Sequence, residues 1–254
     1  MESKASFKEK LSKNNIDQIN SMSDYFENSI GTIADKLDNF PKYITRTSMS
    51  RFLTKYEIFK KVLDVQGSII ECGVLFGGGL MSWAHFSSIL EPANHQRRIF
   101  GFDTFTGFPN ITKNDKSDFS SKFCKEGELY IDSEDDLNKA ISIYDKTRFF
   151  NNIEKISLIR GDVLNTVPKF LEENKHIVIS LLYLDFDIYE PTKYCLELFL
   201  PRMTKGSIIA FDQLNNPQWP GETKAVFDVF NGFNNISIKK ILNFGTSISY
   251  LELN

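Results

Sequence analysis

The chain has 254 residues, 41% hydrophobic and 25% charged, which fits a soluble globular protein with room for one large domain and an elaboration. Its net charge is -3 and its basic residues are scattered, so the clustered positive field that nucleic-acid phosphates demand is missing. No apolar run approaches the roughly 20 residues of a membrane span, Met1 to Asn15 has no hydrophobic signal core, and Cys72, Cys124 and Cys195 are too far apart for a disulfide framework or a zinc site. A cytoplasmic protein is expected.

The first predicted element covers Phe7 to Phe40, where Phe26, Ile30, Ile33, Leu37 and Phe40 recur at steps of four and three. That narrow seam suits a packed helix, an oligomerisation arm or a cover for a site. Pro41 ends it. A second amphipathic helix, Arg51 to Val65, carries Phe52, Tyr56, Phe59, Val62 and Leu63 on one side. Residues 1–66 therefore read as a helical extension, and residues 67–254 as the main domain.

The organising stretch comes next. An apolar strand from Ser68 ends in Glu71-Cys72-Gly73, breaks into the glycines of Gly77-Gly78-Gly79, and continues as a helix from Leu80 to Leu90. In such a unit the glycines let the backbone approach a ligand and the helix start presents unpaired amides. The spacing is neither the G-x-G-x-x-G of a dinucleotide site nor a P-loop. What remains, an acid-x-Gly before a small-residue turn, is similar to the first motif of S-adenosylmethionine-dependent methyltransferases.

Arg98 to Asp103 is a second strand ending in an acid, followed by the ordered loop Thr104 to Pro109. The polar, aperiodic stretch Asn110 to Asp132 is expected to be a substrate-side lid, since a loop of that length in a compact domain is usually functional or disordered. Ser133 opens a helix running to about Phe150; Lys155 to Arg160 is a third strand, followed by Gly161-Asp162-Val163 and a helix from near Val167-Pro168. His176 to Asp187 is the longest apolar run, the mark of a central parallel strand, and a helix from Thr192 to Leu200 follows it. Ser207 to Phe211 is a fifth strand, ending in Asp212-Gln213. After a helix beyond Gly221, Ile236 to Phe244 and Ser247 to Leu253 read as an antiparallel hairpin.

Acids thus stand at or just past successive strand tips: Glu71, Asp103, Asp162, Asp185 with Asp187, and Asp212. That edge is where open α/β sheets bind ligands. Carboxylates gathered there repel one another unless a ligand, a cation or a proton compensates. Two ribose hydroxyls, an adenine amine and a sulfonium would complement the first three, and a hard divalent cation such as Mg2+ would complement Asp185 and Asp212, with Gln213 adding a neutral oxygen.

These residues carry a resemblance. Glu71-x-Gly73-Val74-x-x-Gly77-Gly78, Phe102-Asp103-Thr104-Phe105-x-Gly107-Phe108-Pro109, Leu184-Asp185-x-Asp187-x-Tyr189-x-x-Thr192 and Phe211-Asp212 together resemble the macrocin O-methyltransferase family, over roughly residues 50 to 230. The pair formed by Asp185 and Asp212-Gln213 is also similar to the magnesium site of catechol O-methyltransferases. Family members tend to carry two adjacent acids at the fifth strand tip, where this chain has Asp212-Gln213. The resemblance implies a Rossmann-like class I methyltransferase sheet, mostly parallel with a C-terminal antiparallel hairpin, and methyl transfer from S-adenosylmethionine to a sugar hydroxyl, assisted by a divalent metal. It implies Glu71 and Gly73 on the methionine part, Asp103 on the ribose and Asp162 with Val163 at the adenine, with Val74, Gly77 and Thr104 completing the cofactor motifs. Asp185, Asp212 and Gln213 would hold the metal, Asp187 or Asp185 take the proton, and Tyr189, Trp219 and Glu222 face the acceptor. A homo-oligomer is expected. Two rivals keep the fold: a hydroxylase-like sugar-modifying enzyme, against which the three scattered histidines speak, and a non-catalytic scaffold subunit.

Overall fold

The structure is a computed structural model and describes residues 13–242 and 244–254. Five parallel strands, β1 (Ser68–Cys72), β2 (Ile99–Asp103), β3 (Ile156–Arg160), β4 (Ile179–Leu184) and β5 (Met203–Phe211), form the body of a seven-stranded sheet. The short β6 (Lys239–Lys240) and β7 (Ser249–Glu252) complete it, in the order β3-β2-β1-β4-β5-β7-β6. β7 lies antiparallel between β5 and β6, so the expected hairpin forms, with its first strand trimmed to two residues. This is the class I methyltransferase sheet, reversed in strand order between β1 and β4.

Helices cover both faces, as buried parallel strands require. Alternate residues of each strand point to opposite sides. Ile69, Leu181, Tyr183 and Ala210 meet α3 (Arg46–Lys60), α4 (Gly78–Leu90) and α5 (Glu134–Asp145) through Phe59, Trp83 and Leu137. Ile70, Leu182, Leu184 and Phe211 meet α6 (Val163–Glu173), α7 (Tyr189–Phe199) and α8 (Pro220–Val229) through Phe170, Phe199 and Val226.

Several boundaries move from their sequence-based positions. α6 begins at Val163 because Asp162 caps it, accepting from the Leu164 amide at 3.0 Å, and Pro168 falls inside the helix. α7 begins at Tyr189, which puts Pro191 within its first turn, where its missing N–H costs nothing. α3 begins earlier than expected, with Thr45 as its cap, and stops at Lys60. The N-terminal stripe is not one helix. α1 (Lys13–Asn28) ends before Gly31, whose φ of +101° breaks the helical path, and Thr32 with Asp35 forms a capping box that starts α2 (Ile33–Asp38). Of the seam, Phe26 packs edge-on against Tyr43, whereas Ile30, Ile33 and Leu37 are exposed, Ile30 by 90%. The start of the stripe, from Phe7, lies outside the described residues.

Candidate active site at the C-terminal edge of the sheet

A cleft of about 610 Å³ opens above the tips of β1, β2, β4 and β5. Gly73, Asp103, Thr104, Asp162, Val163, Asp185, Asp187, Asp212, Gln213 and Trp219 line it, so the structure brings most of the expected site residues into one space. Gln18 and Ile19 of α1 and Thr45, Thr47, Ser48 and Arg51 around the start of α3 close another part of its wall. Sequence periodicity marked this segment as an amphipathic helix and gave no sign that its polar side faces a site.

The glycine turn is held by close approaches. Gly73 has a φ of +87°, and a Cβ there would lie 2.1 Å from the Asp185 carbonyl oxygen, so only glycine lets β1 pass β4 at this point. Asp103 ties the turn to β2: one carboxylate oxygen accepts from the amides of Val74 (2.7 Å) and Leu75 (2.9 Å), and the other accepts from the Phe105 amide (2.8 Å). Gly77 caps α4 in the left-handed conformation, and the Ser133 hydroxyl donates to the Leu75 carbonyl, fixing the far side of the turn.

Glu71 lies beneath this turn, not on the cleft wall. It is 2% exposed, and a Cβ on Gly79 would come within 2.0 Å of its Oε1. Its partner is Lys55 of α3, at 3.5 Å. Burial pushes the Glu71 carboxyl above the usual range, an effect the Lys55 charge partly offsets. The Lys55 ammonium also lies 3.4 Å from the centre of the Tyr183 ring. The Tyr183 hydroxyl donates to Asp212 Oδ1 at 3.0 Å, so a buried chain of contacts runs from Glu71 through Lys55 and Tyr183 to Asp212. Lys55 was legible in hindsight: it falls on the same face as Phe52 and Phe59, at helical spacing.

The floor of the cleft is acidic. Asp212 is 6% exposed and its second oxygen accepts from Gln213 Nε2 at 3.2 Å. Asp187, 7% exposed, sits in the left-handed region with a φ of +64°, a conformation that Asp tolerates better than most side chains. Burial, and then the charges of Asp212 and Asp187, hold Asp185 well above the usual carboxylate range. Glu222 lies behind this group, fully buried, accepting from the Gln213 amide at 2.9 Å. Burial raises its carboxyl well above the ordinary value, and its Oε2 has no hydrogen-bond partner among the described residues. Glu222 therefore backs the acidic group instead of lining the acceptor space.

Of the other acceptor candidates, Trp219 does line the cleft, packed against Phe108 at 5.7 Å between ring centres. Tyr189 does not: its hydroxyl donates to Asp228 at 2.6 Å on α8. Residues 110–132 form the expected long loop, pinned by Asp115, which sequence reading did not single out. Buried Asp115 accepts from the Tyr189 amide (2.5 Å) and from both the amide and the hydroxyl of Thr112 (each 2.7 Å), tying the loop to the start of α7. His85, His95 and His176 are exposed and none lines the cleft.

No three His, Cys, Asp or Glu side chains are drawn into a ready metal cage among the described residues. The donor types still fit a hard cation. Asp185 and Asp212 are cleft-lining carboxylates, the Gln213 amide oxygen accepts from Asn216 and has a second lone pair, and buried like charges with an orphaned Glu222 oxygen are what a bound cation relieves.

Comparison with known proteins agrees with this geometry. No curated protein matches the chain. Among solved structures, CalS11, a calicheamicin methyltransferase, superposes with a TM-score of 0.90 at 33% identity, over 99% of this chain and 98% of that one. An apo structure of CalS11, described as a TDP-rhamnose 3'-O-methyltransferase of calicheamicin biosynthesis, gives a TM-score of 0.81 at 33% identity over 95% of both chains. The O-methyltransferase NovP shares the fold, with a TM-score of 0.62 at 18% identity over 81% of this chain and 80% of its own. Residues 36–243 match the macrocin O-methyltransferase (TylF) family model, which spans the glycine turn and every acid of the cleft. The chain is an O-methyltransferase enzyme and belongs to the macrocin O-methyltransferase family.

Proposed function

We propose that this enzyme transfers the methyl group of S-adenosylmethionine to a hydroxyl of a sugar, free or part of a larger molecule, with a divalent cation such as Mg2+ held by Asp185, Asp212 and Gln213. One observation carries the reading: the glycine turn and the carboxylates of four strand ends share one cleft. S-adenosylmethionine, when bound, supplies an electrophilic methyl on a sulfonium. The cation, when bound, lowers the pKa of a hydroxyl and orients it.

The chain's own residues then divide the work. Gly73 and Leu75 form the cleft wall at the turn, where the methionine part would lie. Asp103 already accepts from three amides, which fixes its carboxylate, and the one lone-pair site left, on the oxygen that accepts from Phe105, suits a ribose hydroxyl. Asp162 and Val163 stand where the adenine edge would lie. Asp187 is the residue best placed to take the hydroxyl proton, since it lines the cleft beside Asp185 and no histidine does. Trp219 gives the acceptor an apolar wall.

Asp212→Asn tests the assignment. Methyl transfer in the presence of Mg2+ should fall by about 10²- to 10³-fold, while S-adenosylhomocysteine binding by calorimetry stays at the wild-type value. An Asp212→Asn enzyme with full transfer in Mg2+ would exclude the metal role.

A further inference from the structure

The cleft wall is chemically lopsided. Its carboxylates are Asp103, Glu128, Asp162, Asp185, Asp187 and Asp212, and Arg51 is its one cation among the described residues. Arg51 is exposed and makes no hydrogen bond or ion pair with any described residue. Thr45 and Ser48 of the same wall are already engaged in the cap of α3: the Thr45 hydroxyl accepts from the Ser48 amide at 3.1 Å and shares a hydrogen bond with the Ser48 hydroxyl at 3.0 Å. The guanidinium is therefore the charged donor that this stretch of wall offers to a ligand.

Where Arg51 stands follows from the course of α3. The chain leaves the helix through Val62 and Val65, whose carbonyls meet Arg97, and enters β1 at Ser68, so α3 runs from the C-terminal edge of the sheet to the N-terminal edge. Its Lys55 lies 3.5 Å from Glu71 of β1 and 3.4 Å from the centre of the Tyr183 ring of β4, which seats the helix across these two strands. Arg51 is one turn nearer the cleft on the same side of the helix, about 6 Å along its axis. It overhangs the tips of β1 and β4.

The order of the strands tells the two ends of the cofactor apart. In the sequence β3-β2-β1-β4, Asp162 and Asp103 stand on the β3 and β2 side, where the adenine and ribose belong in the reading above. The amino-acid end of S-adenosylmethionine then falls over β1 and β4. That end carries an ammonium, which suits the acids there, and a carboxylate, which Asp185 and Asp212 repel unless a cation faces it from the other side. An arginine fork meets both oxygens of a carboxylate at once.

We propose that Arg51 binds the carboxylate at the amino-acid end of S-adenosylmethionine, so that α3, and not the glycine turn alone, selects the intact cofactor. This rests on the cofactor reading above. Trp219 and Gln213, on the β5 and α8 side of the cleft, are left for the acceptor and its metal.

Calorimetric titration with S-adenosylmethionine and with decarboxylated S-adenosylmethionine, which keeps the sulfonium and the ammonium but lacks the carboxylate, is the test. The wild type should bind the intact cofactor about ten- to a hundredfold more tightly than the decarboxylated one. Arg51→Ala should weaken binding of the intact cofactor by the same factor and leave that of the decarboxylated one unchanged, and Arg51→Lys should lose less. An Arg51→Ala variant that binds S-adenosylmethionine like the wild type would overturn the proposal and turn Arg51 over to an anion on the acceptor. Equal weakening of both ligands would overturn it too, since the loss would then have nothing to do with the carboxylate. If the wild type bound neither ligand, the cofactor reading and this proposal would fall together.

Discussion

At the N-terminal edge of the sheet the guanidinium of Arg97, 2% exposed, is bonded on every side: to Glu91 at 2.7 Å, to the carbonyls of Gly67 (3.0 Å), Val62 (2.8 Å) and Val65 (3.1 Å), and to the Ser180 hydroxyl. At the C-terminal edge Asp185, Asp187, Asp212 and Glu222 are gathered against one another, and Lys55, held against the Tyr183 ring and Glu71, offsets only part of their charge. Both edges bury charge. The first satisfies it within the chain and so clamps the segment after α3 to the starts of β1 and β4; the second leaves it unbalanced, which is tolerable only where a ligand will complete it.

Replacing Arg97 with Met should have the largest effect on stability. It takes the ion-pair partner from the half-buried Glu91 carboxylate, which keeps Ser87 and Asn94, and a charged donor from the carbonyls of Gly67, Val62 and Val65, at a cost of about 3–5 kcal/mol. Urea unfolding of the two proteins measures it, and a loss below about 1 kcal/mol would mean that the clamp is incidental.

Lys155 is the exception at that edge, and it sharpens the contrast. Its ammonium donates to the Asn94 carbonyl at 2.8 Å, but burial lowers its pKa from 10.5 to about 8. Between those values the unfolded chain holds a proton that the folded protein has released, so wild-type stability should rise with pH from about 8 towards 10.5. Lys155→Met removes this dependence and should be more stable than wild type at pH 7, by on the order of 1–3 kcal/mol. Unfolding free energies of both proteins at pH 7, 8, 9 and 10 check the sign; parallel curves would refute it.

Asp185→Asn should show the smallest change and the most telling one. It relieves like-charge repulsion, so in a chelator the variant should be more stable than wild type, by about 0.5–2 kcal/mol at neutral pH. The raised carboxyl means that wild-type stability falls as pH climbs above the ordinary carboxylate range, and the Asn variant lacks that fall. Methyl transfer should be lost at the same time. A variant that is both less stable and inactive would make Asp185 a structural residue like Arg97.

Much of this was legible from local pattern. Each parallel strand had an apolar run, each tip an acid, and the glycine turn could be placed because a Gly-rich break between an apolar strand and a helix has few other meanings. Boundaries slipped where capping chemistry outweighed periodicity: Asp162 starts α6 ahead of Pro168, and Gly31 with Thr32 divides a stripe that spacing alone joined. Tyr189 and Glu222 sat in the right stretches, yet their side chains turn to Asp228 and to the Gln213 amide. A helix residue's position in sequence does not say which of its neighbours offers the better hydrogen bond.

The sequence by itself determined the sheet, the row of acids and the family to which the chain belongs, because these depend on periodicities of two and 3.6 residues and on motifs a few residues long. Only the tertiary structure decided that Glu71 turns under the glycine loop to Lys55, that Asp103 is occupied by the turn's own amides, and that Arg51, Thr47 and Ser48 complete the wall of a cleft built mainly by strands far along the chain. Those are contacts between segments widely separated in sequence, fixed by how α3 packs on the sheet, and no local pattern encodes them.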